Sequence, residues 1–258
     1  MPESSKRHHR HAESPFEVLV LSPIAPTPRI IDLGRISYAD AYALQLAHHE
    51  EVLAARESAT PDPGRILLVE HDPPVITISK RADAPKHLLA TPQMLERAGV
   101  TIAETDRGGD ITYHGPGQLV VYPILDLNVY HLRLHDYMRL LEQSIIDAIA
   151  EWGVVGERDP SATGVWVGGG GRASQPSKIA ALGVRIRRWV SMHGLALNVT
   201  TNLDHFQLIV PCGLHGRPVT SLRQLLGERC PAMDEVKRVL TEKLAAHLMV
   251  RGESKSLD

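Results

Sequence analysis

Two side chains in this 258-residue sequence, Cys212 and Lys178, each have a local context that could make them reactive. Cys212 stands between proline and glycine in the segment 210–214 (VPCGL), a constrained turn with little bulk to cover the sulfur. A thiolate on such a turn is a good nucleophile, although an unreactive cysteine is more often a small buried hydrophobe. The turn favours the reactive interpretation without proving it.

Lys178 opens the apolar segment 177–183 (SKIAALG), shortly after a run of four glycines at 168–171. A lysine at the start of a core strand usually points to water. Partial desolvation at this position would lower its pKa, so that it could act as a base or as the charge partner of a thiolate.

Cys230 is the competing thiol. It precedes Pro231 at a position typical of a helix cap, where the helix N-terminus would also lower a thiol pKa. Local context therefore does not rank the two cysteines. Two cysteines in a chain of this length do not form a disulfide framework or a four-ligand zinc site, and we expect a reducing compartment and no bound metal.

A glycine-rich stretch at 107–118 (RGGDITYHGPGQ) comes just before a long apolar run. Glycine allows the backbone to approach a ligand closely, so this stretch could wrap a substrate and present N–H groups to it. A tight structural turn with a hydrogen-bonded histidine is an equally good explanation. His193, inside the apolar segment 192–198 (MHGLALN), is similarly ambiguous, because a core histidine would fit there.

Several other classes of site are not supported. Asp106, Asp110 and Asp126 are scattered near turns and do not form the carboxylate pair of a glycosidase. The motifs G-x-S-x-G, G-x-G-x-x-G and G-x-x-x-x-G-K-[ST] do not occur, so serine-hydrolase, Rossmann and P-loop interpretations have no support.

The predicted elements alternate irregularly between strands and helices. Helices are expected from Ser37 to about Arg56, after the Thr91-Pro92 cap up to Gly99, over 136–152, and over about 234–250. Strands are expected at 65–70, 75–79, 118–127, 164–167, 179–186 and 189–199. Because strands often follow strands directly, the pattern predicts an α/β (α+β) domain with a mixed sheet and flanking helices.

Composition bounds the chain as one large domain. Hydrophobic residues make up 43% and the formal net charge is −2, which gives no global case for nucleic acid or anionic membrane. Residues 1–29 are predicted to be a disordered tail and proline-rich linker, 30–250 the catalytic domain, and 251–258 a polar tail. No apolar signal region or membrane-length segment is present, so a soluble, cytoplasmic protein is expected.

The ordered motifs RGGDITYHGPGQ, TGVWV, SKIAALGVRI, HGLALNV and VPCG resemble the lipoyl(octanoyl) transferase family over about residues 30–230. The resemblance implies a single domain like the catalytic domains of biotin protein ligases and lipoate–protein ligases. It also implies a cysteine–lysine dyad, which falls on Cys212 and Lys178. The implied substrate-binding residues are Arg107, Gly108, Gly109, Asp110, Ile111, Thr112, Tyr113, His114, Ala181, Leu182, Gly183, Gly194, Leu195 and Ala196.

The resemblance further implies the reaction. An octanoyl (or lipoyl) group passes from acyl carrier protein to Cys212, and then to a lysine of a lipoyl domain in a 2-oxoacid dehydrogenase complex or in the glycine cleavage H protein. No ATP or other cofactor is implied, and neither nucleic acid nor membrane is a partner. Lys178 would first stabilise the thiolate and later act as base. Amides near Gly213 or in the Gly115–Gly117 turn are candidate oxyanion donors.

Two other interpretations remain. An ATP-dependent lipoate or biotin-type ligase could use the same fold, although this chain lacks a G-R-G-R-x-G loop. A non-catalytic binder of acylated carrier or lipoyl domains is the second alternative, against which the intact Cys212 and Lys178 argue. If the segments after Lys178 and around Gly194 wall the acyl slot, leucine at Gly183 or Gly194 should shorten the preferred chain.

Overall fold

The computed structural model describes residues 27–58, 62–168, 175–210 and 217–253. These residues form a mixed α/β domain, which confirms the predicted fold class. The strands are β1 Arg29–Ile36, β2 Arg65–His71, β3 Val75–Ser79, β4 Thr101–Thr105, β5 Ile111–His114, β6 Gln118–Ile124, β7 Gly156–Asp159, β8 Ala162–Val167, β9 Ser177–Arg187 and β10 Val190–Asn198. The α-helices are α1 Tyr38–Ala54, α2 Pro92–Ala98, α3 Leu134–Ala150, α4 Leu222–Leu226 and α5 Met233–Glu253.

A seven-stranded sheet in the order β1-β2-β6-β10-β9-β8-β7 forms the centre of the domain. The β1–β2 pair is parallel and the remaining pairs are antiparallel. Helices α3 and α5 cover one face and form the largest core cluster, with Leu141, Ile145 and Leu244 fully buried. Helix α1 packs on the other face through Ala41 and Val52.

A small three-stranded sheet, in the order β4-β3-β5, stands beside the large one. Its own core contains Ile76, Ile111, Tyr113 and Phe206. The loop between β4 and β5 reaches across to the large sheet, where the Gly108 N–H donates to the Val184 carbonyl oxygen at 2.9 Å. The space between the two sheets at this point is where the predicted substrate-binding segments meet.

The predicted helix caps are confirmed. The Ser37 side chain accepts a hydrogen bond from the Asp40 amide at the start of α1. Thr91 caps α2, Pro92 is its first residue, and Gly99 ends it in the left-handed conformation. A helix cap depends only on residues a few positions apart, so it can be predicted without tertiary information.

Other predictions were wrong in detail. The stretch 107–118 was predicted as a loop, yet its β-branched and aromatic centre forms β5. Strands β1, β4 and β7 and the short helix α4 were not predicted. In α1, Leu46 is 37% exposed and does not belong to the buried face. That face instead contains Gln45, whose side-chain oxygen accepts the His193 amide at 2.8 Å.

Strand β1 starts at Arg29 and α5 reaches Glu253. Most of the predicted tails 1–29 and 251–258, namely residues 1–26 and 254–258, lie outside the described residues, as do residues 169–174 before Lys178. Within the part of the chain that the structure describes, no helix combines the length and apolar character needed to cross a bilayer.

Candidate active site

A cleft of about 470 Å³, including its open mouth, lies between β9, β10 and the β4–β5 loop. The lining residues, which define the cleft here, are Tyr38, Arg107, Gly109, Thr112, His114, Val120, Tyr122, Ala181, Leu182, Gly183, His193, Gly194, Leu195 and Ala196.

Ten of the fourteen residues expected to bind substrate line this cleft, all except Gly108, Asp110, Ile111 and Tyr113. The exceptions in β5 follow from strand geometry, because successive side chains point to opposite faces. Thr112 and His114 face the cleft, whereas Ile111 and Tyr113 are buried in the core of the small sheet. Three separated segments of sequence therefore converge on one cavity.

Gly108 and Asp110 are adjacent to the cleft without lining it. The Gly108 amide ties the β4–β5 loop to β9 through Val184. The Asp110 carboxylate lies 2.7 Å from His87 Nδ1. Both residues thus hold the loop that carries Arg107.

Arg107 is held in place by backbone and side-chain acceptors. Its Nη2 donates to the Thr77 carbonyl oxygen at 3.1 Å and to the Thr77 hydroxyl at 2.9 Å. Its Nη1 donates to the Gly108 carbonyl oxygen at 3.1 Å. The guanidinium is therefore part of the cleft wall, with a defined position before any ligand binds.

Lys178 is buried, with 6% of its surface exposed. Its Nζ donates to the Thr163 carbonyl oxygen at 3.0 Å and lies 4.7 Å from the centre of the Trp166 ring. The alternative that this lysine points to water is therefore wrong. A smaller cavity lined in part by Lys178 shares the wall residues Thr112, Ala181 and Ala196 with the cleft, so the lysine lies next to the cleft.

The backbone of Lys178 is pinned to the chain that follows Cys212. The Lys178 N–H donates to the Pro218 carbonyl oxygen at 2.9 Å, and the Thr220 N–H donates to the Lys178 carbonyl oxygen at 2.9 Å. Cys212 and Gly213 belong to residues 211–216, which lie outside the described residues. On the other side of that segment, the Val210 N–H donates to the His87 carbonyl oxygen at 2.8 Å.

Cys230 occupies a different environment. It is half-buried and packs against the main core cluster of the large sheet with α3 and α5. Its Sγ lies 3.8 Å from the Val199 carbonyl oxygen. It lines neither the cleft nor the cavity beside Lys178.

Three buried histidines in and beside the cleft are neutral at neutral pH. Burial lowers the pKa of His71 to about 4 and that of His193 to about 3, and it holds the pKa of His114 well below its usual range. Nearby Arg107 adds to this effect at His193 and His114. Apart from the Arg107 guanidinium, the cleft is walled by neutral imidazoles, phenols and aliphatic groups, which suit a hydrocarbon chain.

Asp106 is a residue that sequence reasoning missed, since it was noted only as a scattered carboxylate near a turn. Its Oδ1 accepts from His193 Nε2 at 2.8 Å, and its Oδ2 accepts from the Tyr42 hydroxyl at 2.8 Å. Arg185 also pairs with this carboxylate. The three partners lie 64, 79 and 87 positions away in sequence, so no local motif signals the cluster.

One expected oxyanion donor is excluded. The Gly117 N–H already donates to Glu70 Oε2 at 2.8 Å, so it is not available to a substrate oxygen. The alternative donor near Gly213 lies outside the described residues. Among the residues that the structure describes, no group of three metal-ligating side chains comes together.

The sequence matches the model of the lipoyl protein ligase A/B catalytic domain over residues 41–245. The match spans most of the chain and contains Lys178, Cys212 and all the cleft-lining segments except Tyr38. The chain belongs to this family.

Its relatives are named octanoyltransferases. The relative from Solibacter usitatus is 48% identical over 213 residues, covering 83% of this chain and 89% of the relative. The one from Gloeobacter violaceus is 45% identical over 231 residues, covering 89% and 94%. The one from Geobacter metallireducens is 44% identical over 205 residues, covering 80% and 86%.

Solved structures share the fold at low sequence identity. A lipoate–protein ligase A bound with ATP superposes with a TM-score of 0.63 at 16% identity, covering 86% of each chain. A bipartite lipoate–protein ligase from Thermoplasma acidophilum gives 0.62 at 15% identity, covering 86% of this chain and 84% of the other. At these identities the likeness establishes the fold alone.

Proposed function

We propose that this chain transfers an octanoyl group from acyl carrier protein to a specific lysine of lipoyl domains, through a thioester on Cys212 with Lys178 as its partner. The observation that carries the proposal is the buried Lys178, whose side chain lines a small cavity beside the cleft and whose backbone N–H donates to Pro218, in the chain that follows Cys212. Relatives named octanoyltransferases, 44% to 48% identical over most of the chain, support the acyl group.

The cleft supports an apolar acyl chain as the bound group. Its aliphatic walls include Val120, Leu182 and Leu195, and its histidines are neutral. Each methylene removed from water contributes about 0.8 kcal/mol to binding. The seven carbons that follow the carbonyl of an octanoyl group can therefore supply most of the binding free energy. The thioester end of the group would lie near Lys178.

The chemistry runs in two acyl transfers. The Cys212 thiolate attacks the carrier thioester, the pantetheine thiolate leaves, and an octanoyl thioester forms on the enzyme. The Lys178 ammonium favours the thiolate before this step. Once the sulfur is acylated, that charge loses its partner, so Lys178 gives up its proton more readily and accepts one from the incoming lysine amine. The product amide forms and Cys212 is released.

No nucleotide is needed, because a thioester is exchanged for a thioester and then for a more stable amide. The proposed donor is acyl carrier protein. The proposed acceptors are lipoyl domains of 2-oxoacid dehydrogenase complexes and the glycine cleavage H protein. A free thiolate at Cys212 requires a reducing setting, which is why we place the reaction in the cytoplasm.

The competing function is that of an ATP-dependent ligase on the same fold, since one structural relative has ATP bound. The two functions differ in donor. The test offers an apo lipoyl domain either octanoyl-carrier protein alone or octanoic acid with ATP and magnesium, and measures octanoylated domain by mass. Product from the carrier alone supports the transferase. Product only from octanoic acid with ATP would establish a ligase instead.

A further inference from the structure

Trp166 places one buried aromatic ring against two cations. The indole is 1% exposed and its Nε1 donates to the Ala162 carbonyl oxygen at 3.0 Å. Lys178 Nζ lies 4.7 Å from the ring centre and Arg217 Cζ lies 3.8 Å from it. Both distances are within the range of cation–π attraction, which is strongest for tryptophan and increases when the cation is desolvated.

The strands around the ring are shaped to admit the lysine. Trp166 pairs with Lys178 across β8 and β9, at a point where the register shifts after Val165. Gly164 has a φ of +137°, and a Cβ there would lie 2.7 Å from the Ala180 carbonyl oxygen and 3.1 Å from Lys178 Cε. A side chain at position 164 would therefore occupy the space through which the lysine stem passes.

Arg217 links the same ring to the segment that carries Cys212. It directly follows residues 211–216, and its guanidinium pairs with Asp159 at the end of β7. The next residue, Pro218, accepts the Lys178 N–H. The ring thus contacts the lysine on one strand and the first described residue after the cysteine segment.

We propose that Trp166 is a positioning residue, which holds the Lys178 ammonium and, through Arg217, fixes the chain beside Cys212. The proposal deepens the proposed function and rests on it for the role of the dyad. The ring and the Thr163 carbonyl oxygen replace part of the hydration that the buried ammonium loses, which favours the charged form of Lys178 in the proposed dyad. That charge lowers the thiol pKa of Cys212.

Other charged groups lie on the elements packed around this site. The Gly164 N–H donates to Glu142 Oε1 on α3 at 3.3 Å, and that carboxylate pairs with Arg139 and Arg158. The charged residues facing the site are Arg139, Glu142, Glu157, Arg158, Asp159 and Arg217. Glu142 and Asp159 each pair with an arginine. Replacing Trp166 therefore removes a direct contact of the Lys178 ammonium and leaves these ion pairs in place.

The test measures how fast iodoacetamide alkylates Cys212 as a function of pH, with Cys230→Ser in every protein. Trp166→Phe keeps a smaller aromatic face and Trp166→Leu removes it. We expect the midpoint of the alkylation profile to rise in the order wild type, Phe, Leu. The Leu variant should react about tenfold more slowly at pH 7, which corresponds to one pKa unit.

Lys178→Met supplies the control that separates positioning from general loosening of the core. In that background Trp166→Phe and Trp166→Leu should leave the midpoint unchanged, because the charge they position is gone. Equal shifts with and without Lys178, or no shift in either, would overturn the proposal. If Trp166→Leu does not fold, the same comparison is made with Trp166→Phe alone, in the presence and absence of Lys178.

This measurement needs no acyl donor, so it is independent of the proposed function. Wild-type protein that forms no octanoyl adduct and no octanoylated lipoyl domain would refute the transferase. The alkylation profiles would still report whether Trp166 controls the charge beside Cys212.

Discussion

The side chain of Arg107 lies directly over Gly183. A Cβ at Gly183 would be 3.2 Å from Arg107 Cδ and 2.7 Å from the Gly108 carbonyl oxygen. Real Cβ atoms do not approach a backbone oxygen so closely, so only glycine lets the β4–β5 loop rest on β9. Two segments more than 70 residues apart in sequence thereby close the cleft.

Gly183→Ala should reduce the longest acyl chain that the cleft accepts. The methyl group takes space at the wall and displaces the loop that carries Arg107, so longer tails lose burial first. Each methylene excluded costs about 0.8 kcal/mol, or roughly fourfold in affinity. Rates of acyl-enzyme formation with six-, eight- and ten-carbon carrier thioesters measure the effect, and an unchanged ratio of the three rates would contradict it.

Gly194 behaves differently, contrary to the expectation from sequence that either glycine could be enlarged to shorten the slot. A Cβ at Gly194 would lie 2.2 Å from the Val121 carbonyl oxygen and 2.6 Å from Pro123 Cδ. The clash is with strand β6, so we expect Gly194→Ala to destabilise the sheet by about 1–3 kcal/mol. Urea unfolding of the Gly194 and Gly183 variants side by side checks this, with the larger loss expected at Gly194.

Lys178→Met should slow acyl-enzyme formation by about 100-fold, because loss of the ammonium would raise the thiol pKa of Cys212 by about two units. Lys178→Arg should not restore the rate, because the stem runs through a narrow space, where even a Cβ at Gly164 would lie 3.1 Å from Lys178 Cε, and a bulkier guanidinium does not fit the same position. Single-turnover mass spectrometry measures formation of the adduct. Lys243→Met, which removes an exposed ion pair on α5, is the matched control and should react normally.

The fold class and most helix boundaries could be predicted from sequence because caps and periodicity are local. Ser37, Thr91 and Gly99 each mark a helix end through their own backbone or side-chain hydrogen bonds. Strand β5 was hidden because its four residues stand between glycines that dominate the pattern. Its alternation explains why Ile111 and Tyr113, which the resemblance placed among the substrate-binding residues, do not line the cleft.

The cleft residues were found through motif resemblance, whereas the supports around them were not. Asp106 binds partners from α1, β9 and β10. The side chain of Lys178 is surrounded by Thr163, Gly164 and Trp166. These contacts exist only after strands distant in sequence have paired. Periodicity carries no information on them, so only a folded structure reveals them.

Asp106→Ala should destabilise the protein by about 3 kcal/mol, because it leaves the buried His193 and the partly buried Arg185 and Tyr42 without their shared acceptor. Thermal unfolding measures the loss. The matched control is Asp83→Ala, which removes an exposed pair with Lys86 and should change stability by less than about 1 kcal/mol. Equal effects of the two substitutions would show that Asp106 does not organise this end of the cleft.

The buried histidines predict a loss of stability in mild acid. The pKa of His71 is about 4 in the folded protein against an ordinary value of 6.5. The unfolded chain therefore binds more protons between these values, so stability is full above pH 6.5 and falls as the pH drops toward 4. His193, at about 3, acts in the same direction.

For His71 alone, the loss between pH 7.5 and pH 5 is about 2 kcal/mol. Urea unfolding at the two pH values measures it. His71→Gln should reduce the pH dependence by that amount, while His131→Gln, an exposed site, should leave it unchanged. A free energy of unfolding that is the same at both pH values would rule out neutral buried histidines.

The central claim is that the acyl group resides on Cys212 during transfer. The most direct measurement is the intact mass of the protein after incubation with octanoyl-carrier protein, for wild type, Cys212→Ser and Cys230→Ser. The account predicts one octanoyl adduct on wild type and on Cys230→Ser, absent from Cys212→Ser and discharged by an apo lipoyl domain. Octanoylated lipoyl domain accumulating with no adduct on any of the three proteins would contradict it.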